Sequence, residues 1–317
     1  SLLLLAGALA LQNIAHAQTN WPAKPVRIVV PYAAGGTTDF AARKIAQKLS
    51  EQTGKTFFVE NKAGGSGTIG TQEVARSNPD GYTLLANDTT YAMLPSLFAK
   101  LPWNHQTDLV PVTTIIQTPV VLIVPGSSKF KTARELIEYA RANPGKLNFG
   151  SGGQGSSTHL SAELFKDESK VDITHVPYRG AGQAMQDLMA GQIDVLITAV
   201  PTALPQLKGG KVRGLAVTGE QRVPGLADVP TFKEAGMPGY KVVNWFGLAA
   251  PKGTPNDVIA KLHTEVKKAL ADPAMRESLI QQGAEPGGMP PKEFADFLRQ
   301  EIQTWNAVAK QAGVKAE

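Results

Sequence analysis

The chain has 317 residues, 42% of them hydrophobic and 19% charged, with 31 glycines and 22 prolines; it is long enough for two domains of about 150 residues and too apolar to remain disordered. It contains no cysteine, which excludes disulfide scaffolds, Cys-ligated zinc, iron–sulfur clusters, thiol nucleophiles and a lipoprotein anchor. A balance of 32 basic against 27 acidic residues gives a net charge of +5, which favours small acidic ligands and does not demand nucleic acid.

The first element is a targeting segment rather than structure. Leu2 to Leu11 (LLLLAGALAL) is an apolar run too short to span a bilayer and of the length of a signal-peptide core, and Ala15-His16-Ala17 supplies the small residues of a cleavage point. The expectation is a partial signal peptide over 1–17, a mature start at Gln18, and a soluble periplasmic product.

Beyond it, short apolar runs alternate with helical patterns. Strands are expected at Val26–Pro31, Phe57–Val59 and Tyr82–Ala86, with helices at Thr38–Leu49 and Thr71–Arg76 between them, the βαβαβ rhythm of a parallel sheet covered by helices. A Pro-, Thr- and Val-rich stretch (109–125) follows, and the rhythm restarts. Helices are read at Ala133–Arg141, Ser156–Lys166 and Gly182–Met189, and strands at Lys146–Phe149, Ile173–Val176 and Ile193–Thr198. The tail from Pro255 to Gln311 reads as largely helical, starting at Asn256 or Asp257, with Gly283 and Gly313 as stops, and is expected to return to the first lobe. The resulting division is lobe 1 over 18–120 plus 237–317 and lobe 2 over 121–236.

Three turns carry the candidate chemistry. Each follows a strand, is rich in glycine and hydroxyls, and opens or leads toward a helix: Tyr32 to Asp39 (YAAGGTTD), Gly64 to Thr71, and Ser151 to His159 (SGGQGSSTH). The unpaired N–H groups and hydroxyls of a helix N-terminus bind anions without Lys or Arg. In an open α/β sheet such turns lie at the carboxyl ends of the strands, so the first and third, in different lobes, can hold one anionic ligand from two sides. Charge-assisted hydrogen bonds of roughly 1.5–3 kcal/mol each, four to six in number, allow about micromolar binding after ordering costs. The candidate ligand-binding residues are Tyr32, Ala34, Gly36, Thr37, Thr38 and Asp39 from the first turn, and Ser151, Gly153, Gly155, Ser156, Ser157 and Thr158 from the third. Tyr91, Tyr178, Thr198, Trp245 and Phe246 are added as pocket walls. Apart from Asp39, these segments hold no carboxylate to pair with an ammonium, which favours acids without an amino group.

Other chemistry is thinly supported. Two GxGxxG matches occur, at Gly65/Gly67/Gly70 and Gly150/Gly152/Gly155, but the strand after the second ends in Tyr178 and Arg179 rather than an acid; an NADP-linked enzyme is the weaker alternative. His159 lies three residues after Ser156, a spacing that a base beside a nucleophile shares with a helix-capping turn. His105, His175 and His263 are isolated, so neither a metal nor a cofactor is expected.

The stretches WPAKPVRIVVPYAAGGTTD, VENKAGGSGTIGTQEVARSNPDGYTLL, VPYRG, GKVRGLAVTGEQRVPGLADVPTFKEAG and WFGLAAPKGTP resemble the tripartite tricarboxylate transporter receptors, the TctC-like or Bug family of periplasmic solute-binding proteins. The resemblance runs from Trp21 to about Gly313. It implies a two-lobed type II periplasmic binding fold (α/β), not an enzyme, that closes on a di- or tricarboxylate or an aromatic carboxylate. The function expected is delivery of the ligand, by a monomer, to membrane subunits of a tripartite tricarboxylate transporter; the alternative is a ligand-sensing input to a signalling partner. The family's ligands vary while its loops are similar, so ligand identity does not follow.

Overall fold

The computed structural model describes residues 20–314; the leader reading falls outside them. In chain order the elements are β1 (Val26–Val30), α1 (Thr37–Thr53), β2 (Phe57–Asn61), α2 (Thr68–Ala75), β3 (Thr83–Asp88), α3 (Thr89–Leu97), β4 (Leu109–Pro125), α4 (Ala133–Ala142), β5 (Asn148–Ser151) and α5 (Ser157–Ser169). There follow β6 (Thr174–Pro177), α6 (Ala181–Met189), β7 (Val195–Ala199), α7 (Val200–Lys208), β8 (Val212–Val217), β9 (Val243–Pro251), α8 (Asn256–Ala271), α9 (Pro273–Gln281), β10 (Glu285–Pro286) and α10 (Pro291–Ala312).

The strands run in the order β2-β1-β3-β9-β4-β7-β5-β6, with β8 and β10 also paired to β4. β1 is parallel to β2 and β3, and β5 is parallel to β6 and β7, so both expected βαβ groups form. Val26, Ile28, Val29 and Val30 of β1 are all fully buried, as a strand covered by helices on both faces requires. α4 starts with a capping box, Thr132 and Glu135 each closing on the other's backbone, which fixes its first turn.

The stretch 109–125, read from sequence only as a break in the rhythm, is the longest strand. Its first part pairs antiparallel with β9 as far as Pro119, and from Val120 onward it pairs with β7 and β8. One strand thus belongs to both halves of the sheet. Pro111 and Pro119 obscure it in the sequence because proline cannot donate to a ladder. The register shifts between Pro111 and Thr113 and between Thr114 and Ile116 absorb the irregularity.

The helical tail packs as expected in part. α8 lies against α1 and β4, but α10 touches α3, β4 and also α5, so the tail spans both halves. Its anchor is Trp245 of β9, whose ring meets Phe294 edge-on and whose Nε1 donates to Glu301 at 2.9 Å. Among the described residues no helix is long and apolar enough to cross a membrane.

Candidate functional site

Each strand of the two parallel groups hands its chain to a helix at its carboxyl end, and five of those helices begin at one cavity. Thr37 and Thr38 of α1, Thr90 of α3, Ser157 and Thr158 of α5, Ala181 of α6 and Thr202 of α7 all line it, around about 450 Å³ of space free of protein atoms. First-turn N–H groups have no acceptor within their own helix. The N-cap positions of α1, α6 and α7 are Gly36, Gly180 and Ala199, none of which supplies a side-chain cap. The partial positive ends of these helices therefore face the cavity, and among the described residues no Lys, Arg or His lines it.

Two carboxylates do line it, and both are occupied. Asp39 accepts from Gly35 N–H, Asn61 Nδ2 and Arg43; burial opposes its charge, but these donors outweigh burial and hold it below the usual carboxylate range. Asp88, at the end of β3, accepts from Thr38 Oγ1 at 2.7 Å, Tyr32 OH at 3.1 Å and Thr90 N–H at 2.9 Å. Full burial pushes its pKa up, and the three donors only partly offset this. An ionised Asp88 can only accept, so the Thr38 and Tyr32 hydroxyl protons are committed to it and these oxygens offer the cavity lone pairs alone.

The third turn holds its shape from within. Thr158 Oγ1 accepts from Gly152 N–H at 2.7 Å, Ser156 Oγ caps α5 through His159 N–H at 3.3 Å, and Ser151 Oγ contacts His175 Nε2 at 2.6 Å. His159 Nδ1 accepts from Gly155 N–H at 2.8 Å and its Nε2 faces Glu163. The imidazole thus braces the turn, and Ser156 is a capping residue.

The two halves meet across the cavity. Thr37 and Thr202 hydroxyls lie 2.7 Å apart, Ala33 N–H donates to Arg179 O at 3.1 Å, Ser157 N–H to Thr90 Oγ1 at 3.0 Å, and Ser66 Oγ to Gln154 O. A Cβ on Gly182 would lie 2.5 Å from Ala34 O, and one on Gly155 2.5 Å from Leu97; bare glycine is what lets the halves approach this closely.

The model of the tripartite tricarboxylate transporter family receptor matches residues 41–314. The chain belongs to this family. It is 35% identical to Protein BugT of Bordetella pertussis, covering 93% of this chain and 91% of BugT. Among solved structures it is similar to Rpa4515 of R. palustris with adipate (39% identity, TM-score 0.90, 94% and 100% of the two chains). It is also similar to MatC of Rhodopseudomonas palustris with bound malate (35% identity, TM-score 0.86, 91% and 99%). The fold is accordingly the two-lobed α/β architecture of the periplasmic binding proteins.

In this receptor the cavity gathers ten of the residues singled out from sequence: Tyr32, Gly36, Thr37, Thr38, Asp39, Ser156, Ser157, Thr158, Thr198 and Phe246. Seven lie off its lining. Ala34, Gly153 and Gly155 sit where the lobes touch, against Gly182, Ser66 and Leu97. Ser151 bonds His175, Tyr178 OH donates to Asp187 at 2.7 Å, Tyr91 stacks on His105, and Trp245 turns to Glu301. Sequence reasoning passed over Asp88, Thr90, Thr202 and Asn244, which line the cavity. Asp-Thr-Thr at the junction of β3 and α3 is itself a capping signature; Asn244 lies in a strand and carries no such signal. Asp88 lies outside the two turns and so adds to the lining a carboxylate that they do not carry.

Proposed function

We propose that this receptor captures a small organic di- or tricarboxylate, or an aromatic carboxylate, between lobe 1 (18–120 with 237–317) and lobe 2 (121–236), and presents it to the membrane subunits of a tripartite tricarboxylate transporter. It acts as an exported periplasmic monomer, binding without chemistry and without a metal or cofactor. The carrying observation is the convergence of five helix N-termini, three of them uncapped, on a cavity with no cationic side chain; that arrangement holds anions by oriented amides. Thr198 Oγ1 and Asn244 Oδ1 support it: both are buried, face the cavity and have no protein partner, a costly state that a ligand relieves. The adipate and malate of the related structures agree with this chemical class.

The committed protons of Thr38 and Tyr32 refine the pose. A bare carboxylate fits at the α5, α6 and α7 ends, whereas a group beside Asp88 is a donor, such as a hydroxyl or a bridging water. Thermal unfolding of protein stripped of bound ligand, against succinate, malate, glutarate, adipate, citrate, benzoate and NADPH, tests the reading. One carboxylate class at about 100 times its Kd adds roughly 2.7 kcal/mol and raises Tm by several degrees. No shift with any carboxylate, or a shift with NADPH alone, overturns it.

A further inference from the structure

β3 ends in two adjacent residues that face opposite ways, as alternation along a strand dictates. Asp88 enters the cleft, and Asn87 enters a second cavity of about 710 Å³ on the other side of the sheet, between α3, the start of β4 and α10. Asn87 is 2% exposed, and neither its Oδ1 nor its Nδ2 has a partner. In a well-packed interior such an amide is rare, because an unsatisfied buried donor and acceptor each cost about 1–3 kcal/mol.

His105 lies on the same wall. Its ring stacks on Tyr91 with centroids 4.1 Å apart, and neither ring nitrogen has a partner. Burial pushes its pKa down to about 4, so at neutral pH it is an uncharged donor–acceptor, like the Asn87 amide. Leu109 and Leu298 supply an apolar surface, and Arg299 at the rim is paired with Asp296. Gln106, Gln303 and Asn306 also line the cavity, but Asn87 and His105 are the buried donor–acceptor side chains on it without a partner among the described residues, and the one charged side chain of the lining, Arg299, is paired.

We propose that this second cavity binds an uncharged small molecule whose apolar body carries an amide-like edge, able to donate to and accept from Asn87 and His105 together. The site is separate from the carboxylate cleft: a charged acid is excluded because neither a free cation nor the first turn of an uncapped helix lines it, and a pure hydrocarbon because it leaves the Asn87 amide unsatisfied.

The test uses benzamide as probe, with acetophenone, which has the same ring and carbonyl but no N–H, as its control. Saturation-transfer NMR on the intact protein is expected to give a saturable benzamide signal, with acetophenone at least about tenfold weaker. Asn87→Leu removes both polar atoms at similar volume, and Ala295→Trp fills the cavity from α10. Each is expected to raise the benzamide Kd at least about tenfold while leaving carboxylate-induced Tm shifts intact. Thr202→Val, on the cleft side, is expected to leave benzamide binding unchanged. Absence of a saturable signal, equal binding of acetophenone, insensitivity to both cavity variants, or displacement of benzamide by a cleft ligand each overturns the proposal.

Discussion

Thr37 Oγ1 and Thr202 Oγ1 lie 2.7 Å apart, joining the first turn of α1 to the first turn of α7 across the cleft. In the proposed closure of the lobes on a ligand, this bond belongs to the closed state alone. Thr202→Val keeps the shape and removes the hydroxyl. The expected outcome is a loss of about 1 kcal/mol of closure, read by titration calorimetry as roughly fivefold weaker ligand binding. Unaltered affinity and an unaltered scattering radius of the liganded protein rule out that role.

Asp88 gives a prediction of opposite sign. Its carboxylate is fully buried with an upward-shifted pKa, because burial outweighs the donors from Thr38, Thr90 and Tyr32. Like charges brought together in a desolvated site cost several kcal/mol, so Asp88 selects against an acid whose carboxylate lies beside it. Asp88→Asn removes that charge and lets Thr38 turn its proton toward the ligand. Plain dicarboxylates are expected to bind at least about fivefold tighter, with discrimination against unhydroxylated acids relaxed and Tm not lowered. Weaker binding of every acid instead marks Asp88 as a direct ligand contact.

The alternation of strands and helices, and the anion-binding character of two turns, were legible because they are local: apolar runs of β1 and β7, the glycine–hydroxyl turns, and hydroxyls at helix starts follow from neighbouring residues. What was not legible is long-range. β4 hides behind Pro111 and Pro119, and its own extra residues, Val112 and Ile115, bulge it against β9 and break the two-residue alternation that a strand shows in sequence. Pro95 likewise masks α3. Asn244 reaches the cleft because β9 inserts between β3 and β4, and Trp245, its neighbour, points the other way for the same reason. Tyr91 looked like a pocket wall from its position after β3, but one turn along α3 carries it to the opposite face, against His105.

Protonation of His105 gives a pH signature. In the folded state its pKa is held near 4 by burial, against about 6.5 in an unfolded chain. Between these values the unfolded state takes up a proton that the folded state refuses, so this contribution to stability is complete above about pH 6.5 and declines as pH falls toward 4. His175, also held near 4 by burial with help from neighbouring His159, acts in the same direction. His105→Phe preserves the stacking on Tyr91 and loses no hydrogen bond from the ring nitrogens, since they have no partners. Its Tm is expected to fall less steeply than that of the natural protein between pH 6.5 and 4; parallel curves eliminate His105 as a contributor.

Gly182 separates closure from folding. It stands at the start of α6, where a Cβ would lie 2.5 Å from Ala34 O and 2.9 Å from Gly35 C. Both opposing atoms are backbone and belong to the facing loop, so no side-chain rotation relieves the clash. Within its own helix, replacement of glycine by alanine is favourable by about 1 kcal/mol. Gly182→Ala is therefore expected to leave the ligand-free protein at least as stable, because the open lobes do not bring these atoms together. Ligand affinity is expected to fall at least about tenfold, since the cost falls on the closed state only. Calorimetry and small-angle scattering with and without ligand distinguish the cases. Undiminished affinity means that α6 and the Ala33–Gly36 loop part during binding, whereas a large drop in ligand-free Tm means that their contact belongs to the resting protein.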